Sequence, residues 1–406
     1  MNTIQHQQLF SFKELLELET ESKYNKIFDV INIFPAVDYL SNHFNKGANG
    51  FNKANIVRAL IVVQIENIKD KTALVNRLEY DIRLKMACGF KYGSAIPSIS
   101  TFCRAFNSLA ETDILTDIYN QLIDEAIELD MVDSESIAID STKIESYDSP
   151  KSNKQIDKSD PNRADWGAKY DQHKNLIRWF GFKLHLACDT KGEIPLAFSL
   201  KPANESDSKN ALPLVDQSYK LFTKKPLYYL MDKGYDVTKI YKKIHEEYEA
   251  QAIIPLNLRN AKVPPPGFID FDMTPECSGG HEMIYWGHDD KYNKFRCPHA
   301  TGNINCCHGQ SWCSSSNYGL VVKTKPSDNY RGISLPHRNS RGWKQIYNRR
   351  TSVERVFSYL KEIFNIKDPT VRGRLKTKVH IQLNLIAYLA SKIAVKKSQI
   401  NSTIAA

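Results

Sequence analysis

RGWKQIYNRRTSVERVFSYLKE, residues 341 to 362, has the periodicity of an amphipathic helix. On a helix turning about 100° per residue, Tyr347, Arg350, Glu354 and Lys361 fall within an arc of roughly 60°. Val353, Val356, Phe357, Leu360 and Phe364 form a neighbouring apolar stripe, the face such a helix buries. One acidic side chain is therefore expected on a packed helix, with an arginine one turn before it and a lysine two turns after it. An Arg350–Glu354 pair on a solvated face would stabilise the helix by only about 0.2–0.5 kcal/mol, so the pair alone specifies no chemistry.

Upstream, two more acidic residues stand at the ends of strand-like runs. SIAIDS, residues 136–141, is apolar and β-branched with Asp140 at its end; LYYLM, residues 227–231, reads the same way and Asp232 follows at once. Residues 146–177 are polar, broken by Pro and Gly, and too long for a simple connection. Alternating segments from Trp179 to Cys188 and from Glu193 to Leu200 flank Asp189-Thr190-Lys191-Gly192, a hairpin signal. Helices are expected from about Ser206 to Leu221 and over Tyr235–Tyr248, with a final strand over Ala250–Pro255. The order strand, hairpin, helix, strand, helix predicts a mixed α/β sheet with an acid capping two of its strands.

Three gathered carboxylates repel one another and stay ionised only beside a compensating cation. An all-oxygen ligand set favours Mg²⁺ or Mn²⁺. Two such ions about 4 Å apart activate an attacking oxygen and stabilise the leaving one in phosphodiester chemistry. Asp140, Asp232 and Glu354 are the candidate ligands.

The spacing Tyr347-x2-Arg350-x3-Glu354-x6-Lys361 resembles the signature of bacterial insertion-sequence DDE transposases of the insertion sequence four family. Asp140-Ser141-Thr142-Lys143 and Asp232-Lys233-Gly234-Tyr235-Asp236 look like that family's aspartate motifs, and Gly181-Phe182-Lys183-Leu184-His185 resembles its second strand. The resemblance implies an RNase H-like mixed-sheet catalytic domain with an insertion, preceded by an all-α domain. In that fold the first and fourth strands are neighbours, which would join Asp140 to Asp232, with Glu354 completing the site. It further implies that Tyr347, Arg350 and Lys361 bind DNA. The implied activity is binding of terminal inverted repeats, two-metal cleavage and strand transfer into target DNA, by at least a homodimer holding two ends in a synaptic complex. A non-catalytic DNA-binding derivative and an RNase H-like nuclease without strand transfer are the rival readings.

At 406 residues and 42% hydrophobic, the chain can bury two or three domains. Its longest apolar runs, such as Ala59–Val63 and Leu385–Ala390, fall far short of the ~20 residues of a membrane span. The amino-terminal sequence lacks the apolar core of a signal peptide, so a cytoplasmic protein working at the nucleoid is expected. Between Arg341 and Lys397 there are 14 Lys or Arg against 3 Asp or Glu, a net of +11 in a chain of net +9, which leaves the remainder at −2. A basic face concentrated in this way suits a polyanion. Its interleaving with Phe357, Leu360, Ile381, Leu385 and Leu389 indicates folded structure rather than a solvated tail.

Residues 1–130 read as helical, with periodic stretches over Asn52–Ile65 and Thr72–Met86. In SAIPSISTFCRAFNSL, residues 94–109, Pro97 and Ser98 supply a helix start, and Ile99, Phe102, Phe106 and Leu109 keep helical spacing. Ser100, Thr101, Arg104 and Asn107 face outward. Composition alone makes this a common polar helix face; the resemblance favours the reading helix of a helix-turn-helix unit. The catalytic domain is assigned to 131–256 and 341–397, with an insertion at 257–340.

That insertion holds Cys277, Cys297, Cys306, Cys307 and Cys313. Cys277, Cys297, Cys306 or Cys307, and Cys313 could supply a structural zinc site, with His281, His299 and His308 as substitutes; buried or free thiols are the alternative. Cys88, Cys103 and Cys188 read as small core residues. Trp286 and Trp312 are candidates to stack on an unpaired base, with structural packing the better expectation.

Overall fold

The computed structural model describes residues 23–43, 50–150, 160, 162–170, 173, 175–306 and 313–405. Their contacts divide into two compact units, one drawn from residues 1–130, 144–182 and 358–406, the other from 131–143 and 183–357.

The first unit contains helices α1 (Lys23–Phe28), α2 (Phe34–His43), α3 (Lys53–Ile65), α4 (Lys71–Tyr80), α5 (Ile82–Ala87), α6 (Ile99–Leu109) and α7 (Ile114–Glu128). The single helix expected over Thr72–Met86 is two. Asp81 ends α4 by donating its N–H to the Arg77 carbonyl, and starts α5 by accepting the Leu84 N–H at 3.0 Å. One capping carboxylate thus interrupts a pattern whose apolar periodicity continues. Ser98 precedes α6 as expected, and Phe102, Phe106 and Leu109 are buried while Ser100, Arg104 and Asn107 are exposed. Ile99, first of the expected apolar series, is exposed. The C-terminal helix, Arg374–Ala405, packs on α7 and α3 with Ile381, Leu385 and Leu389 fully buried. Its Asn384 donates to Gln64 Oε1 at 2.9 Å inside this apolar contact, satisfying that buried acceptor.

The strands are β1 (Ser136–Glu145), β2 (Asp165–Tyr170), β3 (Leu176–Asp189), β4 (Pro195–Pro202), β5 (Tyr228–Leu230) and β6 (Gln251–Ile253). Part of the expected loop is therefore a strand. The residues of β2 are polar, yet the strand pairs antiparallel with Leu176–Gly181, and the Trp179 ring lies so close to Gly167 that a Cβ there would sit 2.4 Å from it.

The sheet order is β2-β3-β1-β5-β6, with β4 also on β3. Setting β2 aside, the first and fourth core strands, β1 and β5, are neighbours and parallel, as an RNase H-like sheet requires. The expected β3–β4 hairpin is present. Asp189, fully buried, accepts the N–H groups of Gly192 at 2.6 Å and Ile194 at 2.7 Å, which fixes the turn. Helices α8 (Asp207–Lys220) and α9 (Thr238–Glu247) follow β4 and β5.

The second unit also holds α10 (Arg341–Asn348), and α11 (Thr351–Glu362) starts within it. One continuous helix was expected here. The chain instead makes i→i+3 bonds, from Arg350 N to Tyr347 O and from Ser352 N to Arg349 O, and the Thr351 hydroxyl donates to Asn348 O. Tyr347 thus stands on α10, Arg350 in the break, and Glu354 and Lys361 on α11. The apolar stripe is as expected: Val353, Val356 and Leu360 are fully buried, and Phe357 and Phe364 nearly so.

The insertion forms a three-stranded antiparallel sheet of β7 (Ile284–His288), β8 (Asn293–Arg296) and β9 (Val321–Thr324). Its apolar centre is small: Cys277, Met283 and Phe295, flanked by Tyr285, Leu320 and Val322. Polar locks supplement it. The buried carboxylate of Asp236, after β5, receives the forked guanidinium of Arg331 at 2.7 and 3.1 Å. Arg338 donates to the carbonyls of Ile254 at 3.2 Å and Gly332 at 2.6 Å. No helix among the described residues is long and apolar enough to cross a membrane.

Candidate active site

The parallel pairing of β1 with β5 sets Ser136 opposite Tyr228, Ile137 opposite Tyr229 and Ala138 opposite Leu230. Two residues further on, the same register brings Asp140 level with Asp232. Asp140 is not at the end of its strand, because β1 continues to Glu145; it is just past the stretch that β5 covers. Beyond β5 the chain turns sharply, and Asp232 Oδ1 accepts the Gly234 N–H at 2.8 Å. A Cβ at Gly234 would stand 2.9 Å from that oxygen, so a side chain there would displace the carboxylate.

Glu354 comes from the first turn of α11, and Arg350 joins it to the strand. The guanidinium donates from Nη1 to Asp140 Oδ2 at 3.1 Å and from Nη2 to Glu354 Oε1 at 2.5 Å. The Tyr347 ring centre lies 5.7 Å from that guanidinium and stacks on Trp343. Arg349 donates to Glu135 and Ser136 at the start of β1, and Arg355 pairs with Glu193 in the β3–β4 turn, so both sides of the break are tied to the sheet. Lys361 lies two turns further along α11, partly buried.

Burial pushes the Asp140 carboxyl up to about 6; the charges of Asp232 and Glu354 push the same way, against the Ser141 N–H and Arg350. Tyr235, fully buried, is raised well above its ordinary value by burial and by the charges of Asp140, Asp207 and Asp232. The structure therefore brings Asp232, Glu354 and Arg350 around Asp140, three acids within electrostatic reach and one organic cation between two of them. Among the described residues no three His, Cys, Asp or Glu side chains form a metal-ligating array. A divalent ion of the Mg²⁺ kind needs oxygens at about 2.0–2.1 Å, whereas the guanidinium holds its two carboxylates apart. The donor set, all carboxylate oxygen and already bridged by a positive charge, fits a hard cation.

A second polar cluster stands behind Asp140. Asp207, opening α8, accepts from Lys183 Nζ at 3.0 Å and from the Ser141 hydroxyl at 3.1 Å. His185, fully buried with Nδ1 4.0 Å from Asp207, is held neutral by burial, its pKa depressed to about 4. Sequence reading took Lys183 and His185 only as strand residues. Their period-two spacing put them on one face of β3, a signal that could have found the pair.

All seven described cysteines are free thiols. Cys88 and Cys188 are buried as expected, whereas Cys103 is only partly so. Cys307, His308 and Trp312 lie outside the described residues. Trp286 is half exposed, with the Arg296 guanidinium 4.3 Å from its ring centre. His299 Nδ1 accepts the Cys306 N–H at 3.3 Å, and the His281 carbonyl accepts the Cys277 N–H.

The family model described as "Transposase DDE domain" matches residues 133–390, and "Transposase domain (DUF772)" matches residues 11–108. No curated protein matches the chain in sequence. Among solved structures it is similar to one described as the cryo-EM structure of piggyBac transposase synaptic complex with hairpin DNA, at 10% identity and a TM-score of 0.42, over 94% of this chain and 75% of that one.

Proposed function

The chain belongs to the transposase DDE-domain family of insertion-sequence DDE transposases, and from that membership we propose that it binds the terminal inverted repeats of its own element, cleaves there and joins the freed 3′ ends to target DNA. The observation that carries this reading is the shared register of Asp140 and Asp232, with Glu354 linked to Asp140 through Arg350. Asp140, Asp232 and Glu354 would hold the divalent ions, Mg²⁺ or Mn²⁺. Bound there, a pair of ions would activate the attacking oxygen and stabilise the leaving one.

The chain's own groups do the remaining work. Arg350 compensates two carboxylates that would otherwise repel, and a guanidinium freed from them can fork onto a DNA phosphate. Tyr347, stacked on Trp343, orients that guanidinium, and Lys361 adds a point charge for the backbone. Asp207 and Lys183 position the β1 segment through Ser141. Residues 1–130 carry DNA contacts through the exposed Ser100, Arg104 and Asn107 of α6; residues 131–256 with 341–397 form the catalytic domain and 257–340 its insertion. Two ends held together require at least a dimer working on DNA at the nucleoid.

Incubating the protein with labelled linear repeat ends, supercoiled target and Mg²⁺ tests this. Joined products are expected, absent with Glu354→Gln. Cleaved ends without joining would reduce the reading to a nuclease, and binding without metal-dependent cleavage would overturn catalysis.

A further inference from the structure

We propose that Cys277, Cys297, Cys306 and Cys313 form a four-thiolate zinc site that holds the insertion together. Four free thiols lie within a span of 37 residues, in a segment whose three strands are only 4 or 5 residues long. The apolar centre of that segment is three buried side chains, of which Cys277 is one. So small a core supplies little folding free energy, and modules of this kind are usually stapled by disulfides or a metal.

The backbone brings Cys277, Cys297 and Cys306 to one end of the small sheet. Cys277 opens a tight turn, its carbonyl accepting the Gly280 N–H at 2.9 Å and its N–H donating to His281 O at 2.9 Å. Leu320 packs against the Cys277 cluster, and its carbonyl accepts the Cys297 N–H at 2.8 Å, so these two cysteines share a neighbour. Gly319, at φ +80°, permits that approach: a Cβ there would stand 3.0 Å from Cys297 Cβ and 2.4 Å from Ala300 Cβ. Cys306 is tied back to the same loop through its N–H to His299 Nδ1, and the Thr301 N–H bonds the Cys297 carbonyl. Cys313 completes the group. Its thiol lies within electrostatic reach of Cys277, Cys306 and Cys297.

Among the described residues these thiols are neighbours without a closed ligand array. All four positions lie outside the regular strands, where side-chain rotation can close it. Tetrahedral thiolate coordination at about 2.3 Å is the geometry zinc takes in structural sites, and soft sulfur ligands select it over the hard cations suited to Asp140, Asp232 and Glu354.

The test uses the full chain, purified without chelator, with metal measured by elemental mass spectrometry and thiols titrated with a mercurial. One zinc per chain, released as the thiols are titrated, is the expected result. Cobalt substituted for zinc should give the ligand-field and thiolate charge-transfer bands of a tetrahedral sulfur site. Cys297→Ser and Cys313→Ser should each lose the metal, and Cys103→Ser should keep it. If the serine variants fail to fold, the cobalt spectrum of the unaltered chain decides. Substoichiometric zinc, a disulfide among the four, or zinc retained in Cys297→Ser would overturn the proposal. Because the readout is bound metal and not DNA cleavage, the outcome is independent of the transposase reading.

Discussion

The sheet that carries Asp140 and Asp232 and the insertion that follows β6 solve the same problem with different means. In the sheet, β1, β5 and β6 are held by parallel backbone pairing between fully buried residues such as Ile137, Ala138, Tyr229, Leu230 and Ile253. The insertion has three buried side chains at its centre and depends on charged and polar locks: Arg331 on Asp236, Arg338 on three carbonyls, His337 beside Thr274. A core built from apolar area tolerates an expensive feature, acids from β1, from the turn after β5 and from α11 gathered at its edge, because its stability does not depend on them. A module built from specific polar contacts has no such reserve, so each contact matters individually.

The largest effect should come from the acids themselves. Glu354→Gln, or Asp232→Asn, should lower metal-dependent cleavage on the order of 10³-fold or more, about 4 kcal/mol of transition-state stabilisation, while DNA binding in a mobility-shift assay persists. Thermal unfolding should change little for Glu354→Gln, whose side chain is half exposed. Equal loss of cleavage and of folding would break the contrast, since it would make the site part of the core.

Next in size is the core. Leu230→Ala removes a fully buried side chain from β5, two residues before Asp232, and should destabilise the protein by about 2–5 kcal/mol in denaturant unfolding. The transition should remain cooperative for the sheet. A change below about 1 kcal/mol would show that β5 is not integral to the core.

The two regions also differ in how far the sequence alone revealed them. Asp140 and Asp232 were legible because short apolar runs ending in an acid are a local pattern, and the register that unites them follows from parallel pairing. The stripe of Val353, Val356, Phe357 and Leu360 was legible because burial imposes a helical period. The break before Thr351 was not, because the period runs on across residues 349 and 350 while only hydrogen bonding changes. Strand β2 was hidden for the opposite reason: its residues are polar, and Gly167 under the Trp179 ring stabilises it through a cross-strand contact. Arg350 as a bridge between two acids depends on a partner 210 residues away, and Arg331 on one 95 residues away. No local rule carries such information.

Breaking a polar lock sharpens the contrast further. Arg331→Ala leaves the buried Asp236 carboxylate with only the Tyr241 hydroxyl and the Asn257 N–H, both already bonded to it. Loss of a buried partner of this kind costs about 3–5 kcal/mol, discounted here toward about 2 because one third of the Arg331 side chain is exposed. Limited proteolysis should then cut first within residues 257–340. Cutting that begins instead between β1 and β6 would show that Arg331 supports the sheet.

The smallest effect is one of pH. His337 packs against the Tyr285 and Phe295 rings, which also touch each other, with Nε2 3.3 Å from the Thr274 hydroxyl. Burial depresses its pKa to about 4; Asp270 and the Asp272 backbone pull it up and Arg338 pushes it down. A histidine depressed in the folded state contributes stability that is present above its unfolded pKa of about 6.5 and is lost as pH falls towards about 4. Between about pH 7.5 and about pH 5.5 the loss should be about 1 kcal/mol. His185 and His380, also held near 4 by burial, carry the same sign, whereas Asp140, raised to about 6, carries the opposite one. Replacement distinguishes them. In His337→Gln the acid sensitivity of the insertion, read by hydrogen exchange at Phe295 and Val322, should flatten while that of β1 and β5 stays as it was. An unchanged slope at Phe295 would mean that the imidazole remains neutral for reasons other than its burial against the two rings.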